Sequence, residues 1–280
     1  MTIAKETLKH LIRRKWKLPA TVFLSGLGLV MLAHLFDVAG ILDQRDAAFA
    51  AMRESTDPPS SEQIAAVSRG RGVLTFFGVL DTFFLVGPVL VGLLLPGGVV
   101  ANERQSGAIM LWAQHTMPLS RFYMQRYLGT QIANMGAQAL IGIPVGIALT
   151  LPPDIVTLTD RFPEFCVQAL LGCAISFAVT SLGVRRAAFW VLAYYVASNW
   201  IHGLVLRAGV ADTPGSLATG LDVVLFALFP VPAVRAFVSG IESGVTWDWP
   251  AAATVLAHFA LWTIIAWLGL RRLDRRPLAL

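Results

Sequence analysis

Charged residues are scarce in this chain. Asp, Glu, Lys and Arg make up 14% of its 280 residues, whereas 56% are hydrophobic and the mean hydropathy is +0.66. A soluble domain carries about 25% charged residues, so most of this chain must face lipid or other buried segments. The long apolar runs predict α-helices, because a helix satisfies its own backbone hydrogen bonds in lipid, and they are unlike the short alternating segments of a β-barrel.

The sequence also lacks the motifs of common catalytic sites. It contains no Gly-x-x-x-x-Gly-Lys-Ser/Thr phosphate loop, no His-Glu-x-x-His and no Gly-x-Ser-x-Gly. Its two cysteines, Cys166 and Cys173, lie seven residues apart in one apolar run, too far apart to bond to each other, so we expect free buried thiols. We therefore predict a chain that is not itself an enzyme and binds no cofactor of its own.

The five histidines stand apart from one another along the chain: they are His10, His34, His115, His202 and His258. Three of them, His34, His202 and His258, could meet in space at a metal, but isolated polar residues that line a helix or an interface are the simpler interpretation. We predict no metal site.

Six apolar runs reach the roughly 20 residues that a helix needs to cross a bilayer. The predicted spans are Leu18–Phe36, Leu80–Val100, Tyr127–Leu151, Phe165–Val184, Ala188–Leu206 and Pro250–Leu270. The run Leu221–Phe229 is too short to span and favours a re-entrant or interfacial helix. A seventh span reaching Phe237 is the competing interpretation, but it would put the basic run Arg271–Arg276 outside, against the positive-inside rule.

The charge distribution predicts the orientation. With the N-terminus inside, most of the 22 Lys and Arg residues fall on cytoplasmic segments, and most of the 17 acidic residues fall outside. We expect a multi-pass protein of the inner cell membrane, with both termini cytoplasmic and outer loops at 37–72 and 208–249. Because the basic residues cluster at the ends of apolar runs, the pI near 9.6 does not indicate a nucleic-acid partner.

Residues 1–17 predict an amphipathic helix that lies along the membrane interface. Apolar side chains recur at helical spacing, and lysines and arginines occupy the other faces, near the lipid head groups. The apolar set includes Leu8, Leu11, Ile12 and Trp16. The alternative is a basic flank that only sets the topology.

A short polar segment, residues 101–121, lies between the second and third predicted spans. It begins Ala101-Asn-Glu-Arg-Gln-Ser-Gly107 and closes Met117-Pro-Leu-Ser-Arg121. Its middle carries an apolar knob suited to a groove on a partner, where tryptophan is a frequent anchor. The knob residues are Ile109, Leu111 and Trp112. The alternative is a loop that merely carries positive-inside charge.

This segment resembles the signature of ABC-2 type transporter permeases, the membrane subunits of ATP-binding cassette exporters. That family has a Glu-Arg-x-x-Gly-Thr-Leu-like start and a Pro-x-Ser-Arg-like close. The start is matched by Glu103, Arg104 and Gly107. The close is matched by Pro118, Ser120 and Arg121. Ala108 and Ile109 stand where the family has threonine and leucine.

The resemblance implies an all-α integral membrane protein with one transmembrane domain over 1–280. It implies six spans, short outer re-entrant helices between spans five and six, and a cytoplasmic coupling helix within 101–121. The permease would form a homodimer and bind two copies of an ABC ATPase, which hold the ATP and Mg²⁺. The coupling residues would be Glu103, Arg104, Gly107, Ile109, Leu111, Trp112, Pro118 and Arg121.

The sequence specifies the transported compound less closely than the class of transporter. No cationic cluster lies within the spans, so we expect export of an amphipathic or hydrophobic compound such as a drug, a peptide or a lipid. Residues predicted to line the pathway are Asp81, Gln131, Asn134 and Gln138. Two other classes stay open: an ion-coupled secondary transporter, which would need a coupling residue such as Asp81, and a non-transporting membrane assembly or scaffold protein.

Overall fold

The computed structural model describes residues 2–55, 58–97, 99–114, 117–151, 161–207, 224–243 and 248–275. Within these ranges the chain is helical, at 86% helix, and forms no strand. The prediction of an all-α protein is confirmed.

Eleven helices are present in the described residues. They are α1 Thr2–Arg14, α2 Lys17–Leu35, α3 Val38–Glu54, α4 Ser61–Leu94, α5 Val99–Gln105, α6 Ala108–Ala113, α7 Leu119–Ala148, α8 Phe162–Ser181, α9 Ala187–Arg207, α10 Val231–Ser243 and α11 Trp249–Arg275.

Five described segments are long and apolar enough to cross a membrane. They are Lys17–Leu35, Val86–Gln105, Leu119–Ala148, Phe162–Ser181 and Trp249–Arg275. Each overlaps one of the predicted spans, so the chain has the helices of a membrane protein. The remaining predicted span, Ala188–Leu206, coincides with the 21-residue α9, which is about 31 Å long. Helix α9 is not among the five, and a total of six spans stays a prediction.

The region after α3 differs from the prediction. Residues 37–72 were expected to form an outer loop. They contain α3 and the beginning of α4, which starts at Ser61 and continues for 34 residues, about 51 Å, to Leu94. No proline lies between Ser61 and the apolar run that begins at Val73, and the helix continues through Gly70 and Gly72. The side chain of Asp81 lies outside the described residues.

The short apolar helix between α9 and α11 is α10. Its 13 residues are about 20 Å long, less than the roughly 30 Å of a hydrocarbon core. Val234 and Val238 pack against Leu171 of α8 and Val255 of α11. The predicted helix was placed over Leu221–Phe229. Residues 221–223 lie outside the described ranges, Val224 and Leu225 are helical, and the chain turns before α10 begins at Val231. Residues 208–223 and 244–247 of the predicted outer loop also lie outside the described ranges, and its placement outside the membrane stays a prediction.

The chain divides into two compact units. One contains Met1–Trp16, Val89–Gly136 and Pro163–Leu280, and the other contains Lys17–Pro88 and Ala137–Phe162. The polar segment at 101–121 lies entirely in the first unit, together with α1. That unit has a core beneath the polar segment, formed by buried residues of α5 to α8 and α11: Val100, Ile109, Leu119, Tyr123, Tyr127, Ala174, Phe177, Ala178, Ala266, Leu270 and Leu273.

The amphipathic helix α1 packs directly on α7. A Cβ atom at Gly129 would lie 2.6 Å from the carbonyl oxygen of Ala4, so only glycine permits this approach of two helix backbones. Leu11 of α1 is buried, whereas Trp16, just past its end, is exposed. The side chains of Leu8 and Ile12 lie outside the described residues. The N-terminal helix is thus a docked part of the first unit.

Replacing Gly129 by leucine should displace α1. The new side chain would overlap the Ala4 backbone, and overpacking of this kind typically costs about 1–3 kcal/mol. The measurement is thermal unfolding in detergent together with proteolysis of α1. Gly136→Leu is the matched control, because Gly136 lies on the same helix as Gly129 and a Cβ atom there has no neighbour within 4 Å. Equal stability of the two variants would contradict the docking of α1 on α7.

Candidate coupling site

The polar segment folds as two short helices that lead into a long one. Helix α4 ends at Leu94, α5 covers Val99–Gln105, α6 covers Ala108–Ala113 and α7 begins at Leu119. The third predicted span was expected to start at Tyr127, but α7 starts eight residues earlier. The Pro118-Leu-Ser-Arg121 close therefore forms the N-terminus of a helix, as suits proline, which lacks an N–H that the first turn would leave unpaired anyway.

Glu103 is the centre of the segment. Its carboxylate accepts hydrogen bonds from Arg126 Nη1 at 2.7 and 2.9 Å and from the Tyr123 hydroxyl at 2.7 Å. The side chains of Arg126 and Glu103 are only 16% and 22% exposed. Charge-assisted bonds of this kind are about twice as strong as neutral ones, so Glu103 joins α5 firmly to α7.

Aromatic rings support this ion pair. The Arg126 guanidinium lies 5.5 Å from the ring centroid of Phe122 and 5.6 Å from that of Tyr123. Trp112 of α6 stacks on Phe122 with centroids 4.8 Å apart. Offset stacking and cation–π contacts each contribute about 0.5–1.5 kcal/mol, so α6 is attached to the same point of α7 as α5.

Two side chains from other helices cap the segment. Thr180 Oγ1, at the end of α8, accepts a bond from the backbone N–H of Ala101 in the first turn of α5 at 3.2 Å. Asp274 Oδ1, at the end of α11, accepts a bond from the backbone N–H of Ser120 in the first turn of α7 at 3.0 Å. First-turn N–H groups have no partner within their own helix, so these bonds tie the segment to α8 and α11.

Gly107 makes the turn between α5 and α6. Its φ of +74° lies in the left-handed region, which glycine enters without the steric penalty of a Cβ atom. The glycine of the motif is therefore required by backbone conformation. Its neighbour Arg104 is half-buried, and one of its terminal nitrogens lies beside Gly183, in the turn after α8.

The predicted apolar knob is only partly exposed. Ile109 is fully buried in the core beneath the segment, so it anchors α6 and is not available to a partner. Trp112 is half-buried against Phe122. Leu111 is 63% exposed, and Met110 beside it is also exposed. Pro118 and Arg121 are exposed as well, so they and the Met110–Leu111 pair form the accessible surface of the segment.

Lys15 connects the end of α1 to the end of α4. Its ammonium group donates to the carbonyl oxygen of Leu95 at 2.8 Å and to that of Leu94 at 3.3 Å. A cation at these carbonyls complements the negative end of the helix dipole. Burial lowers the pKa of Lys15 below the usual lysine range, and the nearby Arg126 lowers it further.

The residues predicted to line a pathway are buried in helix contacts of α7. Gln131 Nε2 donates to the Tyr127 hydroxyl at 2.9 Å, Asn134 Nδ2 to the carbonyl of Ala169 at 3.1 Å, and Gln138 Nε2 to the carbonyl of Pro88 at 3.1 Å. Gln131 Nε2 also donates to the carbonyl of Leu170 at 3.3 Å, so the three amides join α7 to α8 or α4 by bonding to backbone oxygens. Their role in a pathway stays a prediction, as does that of Asp81.

A buried carboxylate in α8 was not anticipated. Glu164 lies in the first turn of α8 and is 2% exposed. It accepts a bond from Gln168 Nε2 at 3.0 Å, and Gln168 Oε1 accepts a bond from the Tyr195 hydroxyl of α9. Arg235 Nε of α10 lies 3.6 Å from Oε2 of Glu164. This polar chain joins α8, α9 and α10.

Among the described residues, no group of three or more His, Cys, Asp or Glu side chains is placed to hold a metal ion. His34 contacts the Thr150 hydroxyl at 3.3 Å, and His258 contacts the carbonyl of Thr254 at 3.0 Å. His202 lies edge-on to Phe226. These three histidines thus have separate local partners. His115 lies outside the described residues.

The sequence pattern identified the segment but missed most of its partners. The motif pointed to Glu103 and Gly107, yet Arg126, Tyr123, Thr180 and Asp274 come from other helices. Tyr123 and Arg126 come after the Pro-x-Ser-Arg close and are three residues apart, so they share one face of a helix that begins at Leu119. The predicted span began only at Tyr127 and therefore excluded both residues. No local signal links Thr180 or Asp274 to the segment.

No protein-family model, curated protein or solved structure matches this chain. A function has to account for a short helical segment that is ion-paired, stacked and capped onto membrane helices while keeping a small apolar surface exposed.

Replacing Glu103 by glutamine should weaken the first unit. The change leaves Arg126 half-buried without its carboxylate, and hydrogen bonds to charged groups contribute about 1.5–3 kcal/mol each. The measurement is denaturant titration in mixed micelles, with Lys9→Gln as the control, since its exposed pair with Glu6 should contribute less than about 1 kcal/mol. A double-mutant cycle with Arg126→Gln should give a coupling energy above about 0.5 kcal/mol, and strict additivity would contradict the pair.

Replacing Gly107 by alanine should strain the turn between α5 and α6. No atom lies within 4 Å of the new Cβ position, so the cost of about 1–2 kcal/mol comes from the left-handed backbone alone. Gly107→Asn should cost less than the alanine variant, because asparagine tolerates this conformation. The unfolding midpoints of both variants in detergent check the order. An alanine variant as stable as the wild type would disprove the strain.

Proposed function

We propose that this chain is the permease subunit of an ATP-driven exporter of the ABC-2 type, with residues 101–121 as the segment that receives movement from a separate ATPase. The observation that carries the proposal is the attachment of this segment. The Glu103 pair, the Trp112–Phe122 stack and the Asp274 cap tie it to α7 and α11, both long enough to span a membrane.

A rigid attachment is what such a role requires. A push on the segment moves a membrane helix only if the two move as one body, and interhelix ion pairs and buried core contacts supply that rigidity. The exposed Met110–Leu111 pair is the part left for a partner. Because the sequence carries no phosphate-binding loop, the ATP and Mg²⁺ would be bound by the ATPase.

The proposed assembly contains two permeases and two ATPases. Helix α9 presents the exposed aromatic residues Phe189, Trp190 and Trp200, which lipid or a second copy would cover. Both termini and the segment would face the cytoplasm of the inner membrane, because the basic residues concentrate there. The cargo would be an amphipathic or hydrophobic compound, in keeping with the apolar composition of the spans.

An ion-coupled secondary transporter is the second candidate, and Glu164 favours it. A buried carboxylate within a membrane protein is by default a functional residue, and carriers use such groups to bind the coupling ion. The loose contact with Arg235 would then exchange with a cation. A non-transporting scaffold has no comparable observation in its favour.

The test of the exporter is assembly with an ATPase. Co-expressed with the ABC ATPases of its own genome, the tagged chain should retain one of them through purification and hydrolyse ATP in nanodiscs. Failure to bind any of them, together with transport driven by a proton gradient and abolished by Glu164→Gln, would overturn the exporter and support the carrier.

Leu111→Asp should abolish the retention of the ATPase. It places a charge in the proposed interface, where a desolvated unpaired charge costs several kcal/mol. The matched control is Leu182→Asp, which alters a leucine of similar exposure, 50%, in the turn after α8. Both variants should be folded by gel filtration. Retention of the ATPase by Leu111→Asp, or equal loss from both variants, would refute the role of the segment.

A further inference from the structure

A cavity of about 610 Å³ lies between α1 and the polar segment, within the first unit. Helix α1 supplies one wall, including Thr7 and His10, and α5 to α8 supply the others. This volume falls in the range of sites that hold small organic molecules and exceeds what a lone inorganic ion fills. None of the roles discussed above uses it.

Two cations with unused donors line the cavity. An ammonium group has three donors, and Lys15 spends two of them on the carbonyls of Leu94 and Leu95. Arg126 uses only Nη1 on Glu103, and its Nε and Nη2 have no hydrogen-bond partner among the described residues. The Lys15 and Arg126 charges also repel each other, which contributes to the lowered pKa of Lys15. An anion between Lys15 and Arg126 would accept hydrogen bonds from these unused donors and would offset the repulsion between the two positive charges.

The acidic side chains on the cavity wall are already occupied. Glu103 is held by Arg126 and Tyr123, and Glu6 is paired with Lys9 at 2.9 Å. The surrounding helix is strongly basic in sequence, since residues 1–17 contain six lysines and arginines and a single acid, Glu6. The field at the mouth of the cavity therefore favours an anionic ligand.

The rest of the wall is apolar and aromatic. Phe122, Phe177, Trp112 and Val99 line it, together with Leu11. In the sequence, Lys15 comes two residues before the candidate span Lys17–Leu35, and basic residues that flank a span lie near the lipid head groups. A ligand that pairs a phosphate with hydrocarbon fits such a wall, and the bilayer supplies it at high local concentration.

We propose that this cavity binds one anionic phospholipid, with its phosphate between Lys15 and Arg126 and its glycerol and upper acyl chains against the aromatic wall. The bound lipid fills the space between α1 and the polar segment and so links the two through its phosphate. Membranes rich in anionic lipid would hold this region together more firmly than zwitterionic ones.

The test is native mass spectrometry of the full chain alone, released from micelles that contain equal amounts of phosphatidylglycerol and phosphatidylcholine with identical acyl chains. The wild type should retain one phosphatidylglycerol per chain in preference to phosphatidylcholine. Lys15→Gln keeps an N–H donor for the Leu95 carbonyl but removes the charge, and should reduce the preference about fivefold. Lys5→Gln, with the same charge change at an exposed position of α1 outside the cavity, should retain it.

Thr7→Phe provides a variant that does not alter charge. Its ring would fill the cavity from the α1 side and should lower retention of the lipid without changing net charge. Equal retention of the two lipids by the wild type would overturn the proposal, as would wild-type ratios in both Lys15→Gln and Thr7→Phe. Displacement of the lipid by inorganic phosphate as effectively as by phosphatidylglycerol would also overturn it, because the site would then select a soluble phosphate. No ATPase is present, so the outcome is independent of the proposed transport.

Discussion

The bond between Glu103 and Arg126 is the interaction on which the organisation of the first unit depends. It joins a seven-residue helix, too short to be stable alone, to a 30-residue helix long enough to cross a bilayer. Tyr123 and Phe122 complete its surroundings, and Trp112 attaches the next short helix to the same place. The largely buried carboxylate of Glu103 is tolerated because each of its partners is ionised or donates a hydrogen bond. Without the pair, α5 and α6 would be held by the packing of Ile109 and Val100, the Trp112–Phe122 stack and the bond from Ala101 to Thr180.

The free-energy cost of leaving a buried polar group without a hydrogen bond also explains the other contacts of this unit. Asp274 and Thr180 satisfy first-turn N–H groups, Lys15 satisfies carbonyls at the end of α4, and the amides of α7 satisfy backbone oxygens of neighbouring helices. Each bond crosses between helices that are distant in sequence. Polar residues are few in this chain, and those that are buried act as the specific links among otherwise interchangeable apolar surfaces.

The proposed mechanical role depends on which side of the segment at 101–121 is attached to other helices and which side is exposed. The segment at 101–121 is tied on its inner side and leaves Met110 and Leu111 exposed on its outer side. Helix α1 reaches the same region through Gly129 and Lys15, and between it and the segment lies the cavity. In the proposed exporter, the ATPase and the membrane lipid would thus act on neighbouring surfaces of one body. The composition of the bilayer would then influence how firmly the moving part is held.

The sequence by itself determined the helical class, the positions of apolar runs long enough to cross a membrane and the existence of a polar segment with a required glycine. Those features depend on composition and short-range periodicity, which any local window contains. Tertiary structure decided that Ile109 faces inward, that α4 begins at Ser61, that Glu164 is buried and that Glu103 pairs with Arg126. These outcomes depend on which helices meet and on which face. Pairs such as Ser120–Asp274, 154 residues apart, leave no local trace because contact between them is created only by folding.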